Sequence, residues 1–250
     1  MKLCFLGTSY VPYGYKKNDV LSAAVLIDGH ALIQPSDDLF RFAERYGLYE
    51  LTEAVRECIV PCSHPRAFSK DVLKRLAQSR PLTLLSSDAV AHACRELARI
   101  SHLPLYPFRT VTVGGLFLTP LPTGYTTAVP AEDCFCFHVS DGRRAVYVGL
   151  PNGYPSDAVL QFLCAHPVDA AVYDVSYGTQ TVADEKQHLT FAGACRLREQ
   201  MTAGGALCGR AYTLLVSLPP FASPDEKNSF SEQARKEGFL LPYDGYFIEL

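Results

Sequence analysis

Short apolar runs alternate with amphipathic segments through the first hundred residues, and this alternation constrains the fold more than any other feature of the chain. Residues 3–6, 23–27 and 31–33 read as strands, the last two joined by Asp28-Gly29-His30, whose Asp-Gly pair is a hairpin signal. A helix is expected over 37–46, with Ser36 as N-cap, Asp37 and Asp38 in the first turn and Gly47 at its end. A buried strand at 58–61 then leads to a helix over 69–78, whose Val72, Leu73, Leu76 and Ala77 make one apolar face. The pattern repeats with a strand at 82–85 and a helix opened by Ser87-Asp88 and running through Ala98, where Ala89, Ala93, Leu97 and Ile100 recur at helical spacing.

Between Leu103 and Gly149 the texture changes to strands and turn residues. The runs 111–118, 134–139 and 145–148, with Asp141-Gly142 between the last two, predict antiparallel pairing. Helical patterning returns at 156–164, a strand at 170–173, a helix at 190–201 with Thr190 as N-cap, and a strand at 212–216. Pro219, Pro220 and Pro224 mark a loop, residues 225–236 a polar surface helix, and 246–250 a closing strand. Strands at both ends with helices interspersed predict an α/β (α+β layered) fold, in which two sheets covered by helices form one αββα sandwich. At 250 residues, 48% hydrophobic and 20% charged, the chain has enough apolar material for one such domain over residues 1–250.

A formal net charge of -3 supplies no overall attraction to nucleic acid or anionic membrane, so the expected partner is a small molecule or another protein. The opening apolar run is too short for a signal-peptide core and no run approaches the ~20 apolar residues of a membrane span, which leads to the expectation of a cytoplasmic protein. Nine cysteines are an odd number, and most sit in apolar or helical contexts, as small core residues do in a reducing compartment. Cys134-Phe135-Cys136 alternates as a strand does, and no second cysteine pair follows at the spacing of a structural zinc site.

One loop, Pro61-Cys62-Ser63-His64-Pro65-Arg66-Ala67-Phe68, follows a strand as a metal-binding loop would. Together with Leu6-Gly7-Thr8, Leu32-Ile33-Gln34-Pro35-Ser36, Thr119-Pro120-Leu121-Pro122-Thr123-Gly124-Tyr125, Tyr147-Val148-Gly149-Leu150-Pro151, Tyr173-Asp174-Val175-Ser176-Tyr177, His188-Leu189-Thr190 and Tyr243-Asp244-Gly245, it resembles the metallo-β-lactamase fold. The resemblance is to its phosphodiesterase and tRNA 3′-processing branch and spans nearly the whole chain. It implies a hydrolase-like αββα sandwich with a dinuclear site, in which His-x-His-x-Asp-His and later ligands hold two cations that activate water.

Laid on that pattern, Cys62 stands at the first His, His64 matches the second, Arg66 replaces the Asp and Ala67 the last His. Tyr125 stands at a further His, Leu150 at the bridging Asp, and no His occurs near Leu214 to Ser217. A cation at Arg66 repels a dication and Leu150 cannot bridge two, so no cofactor is expected, with a single zinc on Cys62, His64 and His188 as the alternative. The family's His-x-Thr stretch gives His188 the position of a proton donor, the one catalytic candidate; the other reading is a His hydrogen-bonded beside the N-cap of the next helix. Asp174, at a strand end, is placed to orient His188, to bind a ligand donor or to cap a turn. The candidate pocket is therefore Cys62, His64, Arg66, Tyr125, Asp174 and His188. A loop bearing Tyr10, Tyr13, Tyr15, Lys16 and Lys17 could grip a base or phosphate at its mouth, or be solvated. Asp244 reads as a turn residue. These losses imply a non-catalytic binding or regulatory pseudoenzyme; the alternative is a divergent phosphodiesterase or ester hydrolase using His188 with one atypical metal or none.

Overall fold

The computed structural model describes residues 1–10 and 20–250. Its first sheet has strand order β13 (Phe247–Glu249), β1 (Lys2–Gly7), β2 (Ala24–Ile27), β3 (Ala31–Ile33), β4 (Glu57–Ile59), β5 (Leu82–Ser86) and β6 (Ile100–Pro104). The pairs β13–β1, β1–β2 and β2–β3 are antiparallel, and β3 through β6 run parallel. Parallel neighbours need crossovers, and helices lie in each of the three: α1 (Leu39–Tyr46) with α2 (Tyr49–Ala54) from β3 to β4, and α3 (Lys70–Ser79) from β4 to β5. α4 (Asp88–Cys94) leads from β5 to β6.

The second sheet has the order β12 (Leu207–Val216), β11 (Val168–Asp174), β10 (Ala145–Gly149), β9 (Phe135–Ser140), β8 (Leu116–Pro122) and β7 (Val111–Val113). The meander β7 to β10 is antiparallel, whereas β10, β11 and β12 are parallel, joined through α5 (Asp157–Ala165) and α6 (Phe191–Ala203). α7 (Pro224–Lys236) follows β12, with Ser223 as N-cap.

Alternation along the strands sorts side chains into three apolar layers. Phe5, Val25, Ile27, Val146, Val148, Ala170 and Val172 meet between the sheets. Their neighbours Leu6, Leu26 and Leu84 face outward to α1, α3 and α4, and Tyr147, Ala171 and Tyr173 face α5, α6 and α7. Both faces of each sheet are thus covered, which is why these strands read as nearly continuous apolar runs. No helix among the described residues is long and apolar enough to cross a membrane.

Several expectations need correction at the element ends. Asp38, not Ser36, is the N-cap of α1. The chain is still turning at Ser36, whose carbonyl accepts from Leu39, and the Asp38 carboxylate turns away to accept from Ser22 N–H at 2.8 Å. The six-residue α2 lacks a repeat long enough to be seen in sequence. α4 ends at Cys94, and after intervening turns Arg99 takes a left-handed φ of 63° where the chain enters β6, to which Ile100 belongs. The run 111–118 is two strands, since Gly114 and Gly115 both adopt positive φ and close a tight hairpin.

Candidate functional site

The carboxyl ends of β1, β3, β4, β8, β10, β11 and β12 converge at one end of the sandwich, the place where open α/β sheets expose loops to ligands. From these loops Gln34, His64, Arg66, Tyr125, Asp174 and His188 line one small cavity of about 20 Å³, room for a water or a compact anion. Tyr10 and the hydroxyl-bearing Ser9, Ser22, Ser176 and Ser217 complete its polar wall.

His188 and Asp174 are its best-defined pair. Asp174 ends β11 and is 2% exposed, and His188 precedes the Thr190 N-cap of α6. His188 Nδ1 lies 2.7 Å from Asp174 Oδ2, and because a carboxylate only accepts, the imidazole donates there and presents Nε2 as its other face. Asp174 Oδ1 accepts from Ser176 N–H at 3.1 Å and from the Ser176 hydroxyl. Asp174 is thus hydrogen-bonded both to His188 and within its own turn. The rings of Tyr10, Tyr125 and Tyr177 stand edge-on around His188, with centroids 5.7, 5.4 and 5.4 Å away.

The loop after β4 is shaped by a different carboxylate. Glu132 accepts from Ser63 N–H at 2.6 Å and from Ser87 Oγ at 3.4 Å, and the His64 carbonyl accepts from Ala67 N–H at 2.8 Å to close the turn. Arg66 is carried back over the Tyr10 ring, 4.0 Å from its centroid. Burial, then the charges of Arg66 and His188, lowers the pKa of His64. Burial, with Cys62 next, pushes the Tyr125 hydroxyl up to about 12.

These residues do not fit a metal centre. Cys62 is fully buried in a cluster with Ala67, Tyr125 and Cys134, and burial, reinforced by the Cys134 thiol, raises its pKa well above the ordinary thiol value, which disfavours the thiolate that metals need. Leu150 is fully buried in the core between the sheets, and Leu214 and Val216 pack there with it. Among the described residues no three His, Cys, Asp or Glu side chains are grouped to hold a metal ion, so Cys62, His64 and His188 are not brought together as a single zinc requires.

Gln34, Ser217 and Glu185 are among the contributors not singled out from the sequence as part of this site. Glu185 accepts from Thr190 N–H at 2.8 Å and from the Thr190 hydroxyl, and pairs with Arg196. It occupies the space a Cβ at Gly193 would need, so glycine in the first turn of α6 is the sequence trace of this lock. Tyr10 is described at the cavity, whereas Tyr13, Tyr15, Lys16 and Lys17 lie outside the described residues. Asp244 is a turn residue as expected, accepting from Thr8 Oγ1 at 2.9 Å before Gly245 at φ 89°. A separate, larger groove of about 1190 Å³ runs along the proline-rich loop at 218–224 and α7, sharing only Ser9 with the cavity.

No protein-family model matches the sequence, and no curated protein matches it. Solved structures do match along the full chain. The metallo-β-lactamase fold protein YhfI from Bacillus subtilis superposes with a TM-score of 0.76 at 16% identity, covering 100% of this chain and 99% of that one. Zn(2+)-bound PqqB from Methylobacterium extorquens gives 0.76 at 12% identity with 100% of both chains covered, and the short form of human tRNase Z gives 0.70 at 13% with 100% and 99% covered. With two helix-covered sheets superposing from end to end on these structures, the chain has the metallo-β-lactamase fold.

Proposed function

We propose that this chain is a non-catalytic pseudoenzyme of the metallo-β-lactamase fold, one domain over residues 1–250, whose former metal cleft is a binding or regulatory pocket for a small molecule in the cytoplasm. The observation that carries this reading is the placement of Arg66: a guanidinium held over the Tyr10 ring projects where the dinuclear pattern needs an anionic ligand. Buried Cys62 and Leu150 at two further ligand positions support it, since neither supplies a charged donor. A fixed cation in the cleft opposes a dication and favours an anion.

The test is elemental analysis for zinc, manganese and iron on protein purified without chelator. Well under a tenth of an equivalent per chain, with thermal stability unchanged by EDTA, is the expected result; one or two tightly held equivalents would sink the proposal.

The buried Asp174–His188 pair favours a second reading, a divergent phosphodiesterase or ester hydrolase that moves a proton at His188 Nε2. It requires hydrolysis of bis(p-nitrophenyl) phosphate that His188→Ala abolishes, and turnover that survives in that variant rules it out.

A further inference from the structure

We infer that the cavity is selective for a compact oxyanion that still carries a proton, and that Gln34 is the residue that selects it. This rests on the cleft being a metal-free binding pocket. Gln34 directly follows β3 with a φ of 62°, a left-handed conformation that few non-glycine residues adopt, and it does so directly before Pro35, where extended backbone is the rule. Its backbone is held there, N–H to the Ile59 carbonyl at 3.0 Å and carbonyl from Ser36 N–H at 2.8 Å. The strained backbone aims the side chain at the cavity wall, and strain of this kind gathers at binding sites.

The orientation of the amide follows from its partner. Nε2 lies 2.7 Å from the Ala23 carbonyl, which can only accept, so the nitrogen must face Ala23. Oε1 is left buried with no hydrogen-bond partner in a side chain only 7% exposed. A buried acceptor without a donor is costly, and Gln34 is a lining residue of the cavity, so an occupant that brings a donor to it relieves that cost.

The rest of the wall sets the charge. Arg66 is the one Lys or Arg among the described lining residues, and Asp174 the one carboxylate. Both Asp174 oxygens already accept, from His188 and from Ser176, whereas the Arg66 guanidinium, over the Tyr10 ring and hydrogen-bonded to Tyr125, still lines the cavity. An occupant must therefore present an anionic oxygen to Arg66 and an O–H to Gln34. His188 Nε2 can accept from a protonated oxygen or, once protonated itself, donate to a bare one; Gln34 Oε1 has no such choice. At pH 6 inorganic phosphate keeps at least one proton and about half of a phosphomonoester does, its second pKa being about 6, while sulfate carries none and would set its oxygen against Oε1.

The experiment is calorimetric titration of the EDTA-treated full-length protein with inorganic phosphate, glycerol 3-phosphate and sulfate at pH 6, at constant ionic strength. Phosphate is expected to bind about tenfold or more tightly than sulfate, the size of effect that one unpaired buried acceptor produces. Binding of glycerol 3-phosphate as tight as that of phosphate assigns the ligand as ester-borne; binding of inorganic phosphate alone assigns the free anion. Arg66→Met should abolish binding of both ions. Gln34→Asn keeps a residue that tolerates left-handed backbone but withdraws the carbonyl, and should narrow the phosphate preference to about twofold or less. Equal affinity for phosphate and sulfate in the parent protein, or no binding of either, overturns the inference and assigns the cavity to water. Either result leaves the metal-free reading standing, because that reading falls only on bound metal.

Discussion

Asp174→Asn tests whether the buried pair holds the cleft together. The carboxylate is 2% exposed and accepts three hydrogen bonds, from His188 Nδ1 at 2.7 Å, Ser176 N–H at 3.1 Å and the Ser176 hydroxyl. Asparagine keeps the shape but removes the charge and replaces one accepting oxygen by an N–H₂ that must face a donor. Hydrogen bonds to a charged partner contribute about 1.5–3 kcal/mol, and leaving one buried donor facing another costs a similar amount, so a loss of about 3 kcal/mol is expected. For a chain of this size each kcal/mol moves Tm by roughly 2–4 °C, which puts the fall at about 6–12 °C. Thermal unfolding followed by far-UV circular dichroism at pH 7 measures it. In a cycle with His188→Gln the two losses should be strongly non-additive, because both remove the same bond. A variant within about 0.5 kcal/mol of the parent, or one that is more stable, refutes the argument and marks the pair as a strained functional device instead.

Other outcomes follow from single sites. His138 is 8% exposed, its pKa is lowered to about 4 by burial and then by the charge of His166, and its Nε2 lacks a partner. Its unfolded pKa lies near 6.5, so its contribution is fully present above pH 6.5 and is lost as pH falls toward 4, where the unfolded chain takes a proton that the folded one refuses. The loss amounts to about 3 kcal/mol, and His138→Phe should flatten that slope in urea unfolding between pH 7 and 4; an unchanged slope counts against it. Of the nine cysteines only Cys164 and Cys208 are exposed, so native protein should react quickly with Ellman's reagent at two thiols and denatured protein at nine. Fast reaction of Cys62 would mean that the loop after β4 opens.

The layers were legible in the sequence because hydrophobic burial writes itself into periodicity. Ser87 and Thr190 were readable as helix starts, and both side chains do cap, accepting from Val90 and Gly193 N–H. What stayed hidden depends on neighbours distant in sequence. The Asp38 carboxylate is turned away from the first turn of α1 by Ser22, a partner distant in sequence, and α2 is too short to show a repeat. At the site, the ring of residues from Cys62 to His188 was visible, and Arg66, Tyr125, Asp174 and His188 do line one cavity, while Cys62 packs behind it. Gln34 was not visible as a site residue: a residue before proline reads as extended, and nothing local records a left-handed glutamine with an unpaired carbonyl.

In a dinuclear enzyme one pair of ions ties several loops to each other, so on the proposed metal-free reading the cleft needs other ties at the same place. Here each loop has its own. Glu132 fixes the loop after β4, Glu185 fixes the approach to α6, Asp174 joins β11 to His188, and Arg66 over Tyr10 joins the β4 loop to the end of β1. None of these depends on a shared ion, and each is a side-chain contact a few ångströms long within a sandwich whose apolar layers close without it. Cutting one tie should therefore loosen one loop and leave the others, so that Asp174→Asn exposes amides around His188 to hydrogen exchange while Ser63 N–H, held by Glu132, keeps its protection. Simultaneous loss of protection in both loops would show that the cleft still behaves as one unit, as a metal-linked site does.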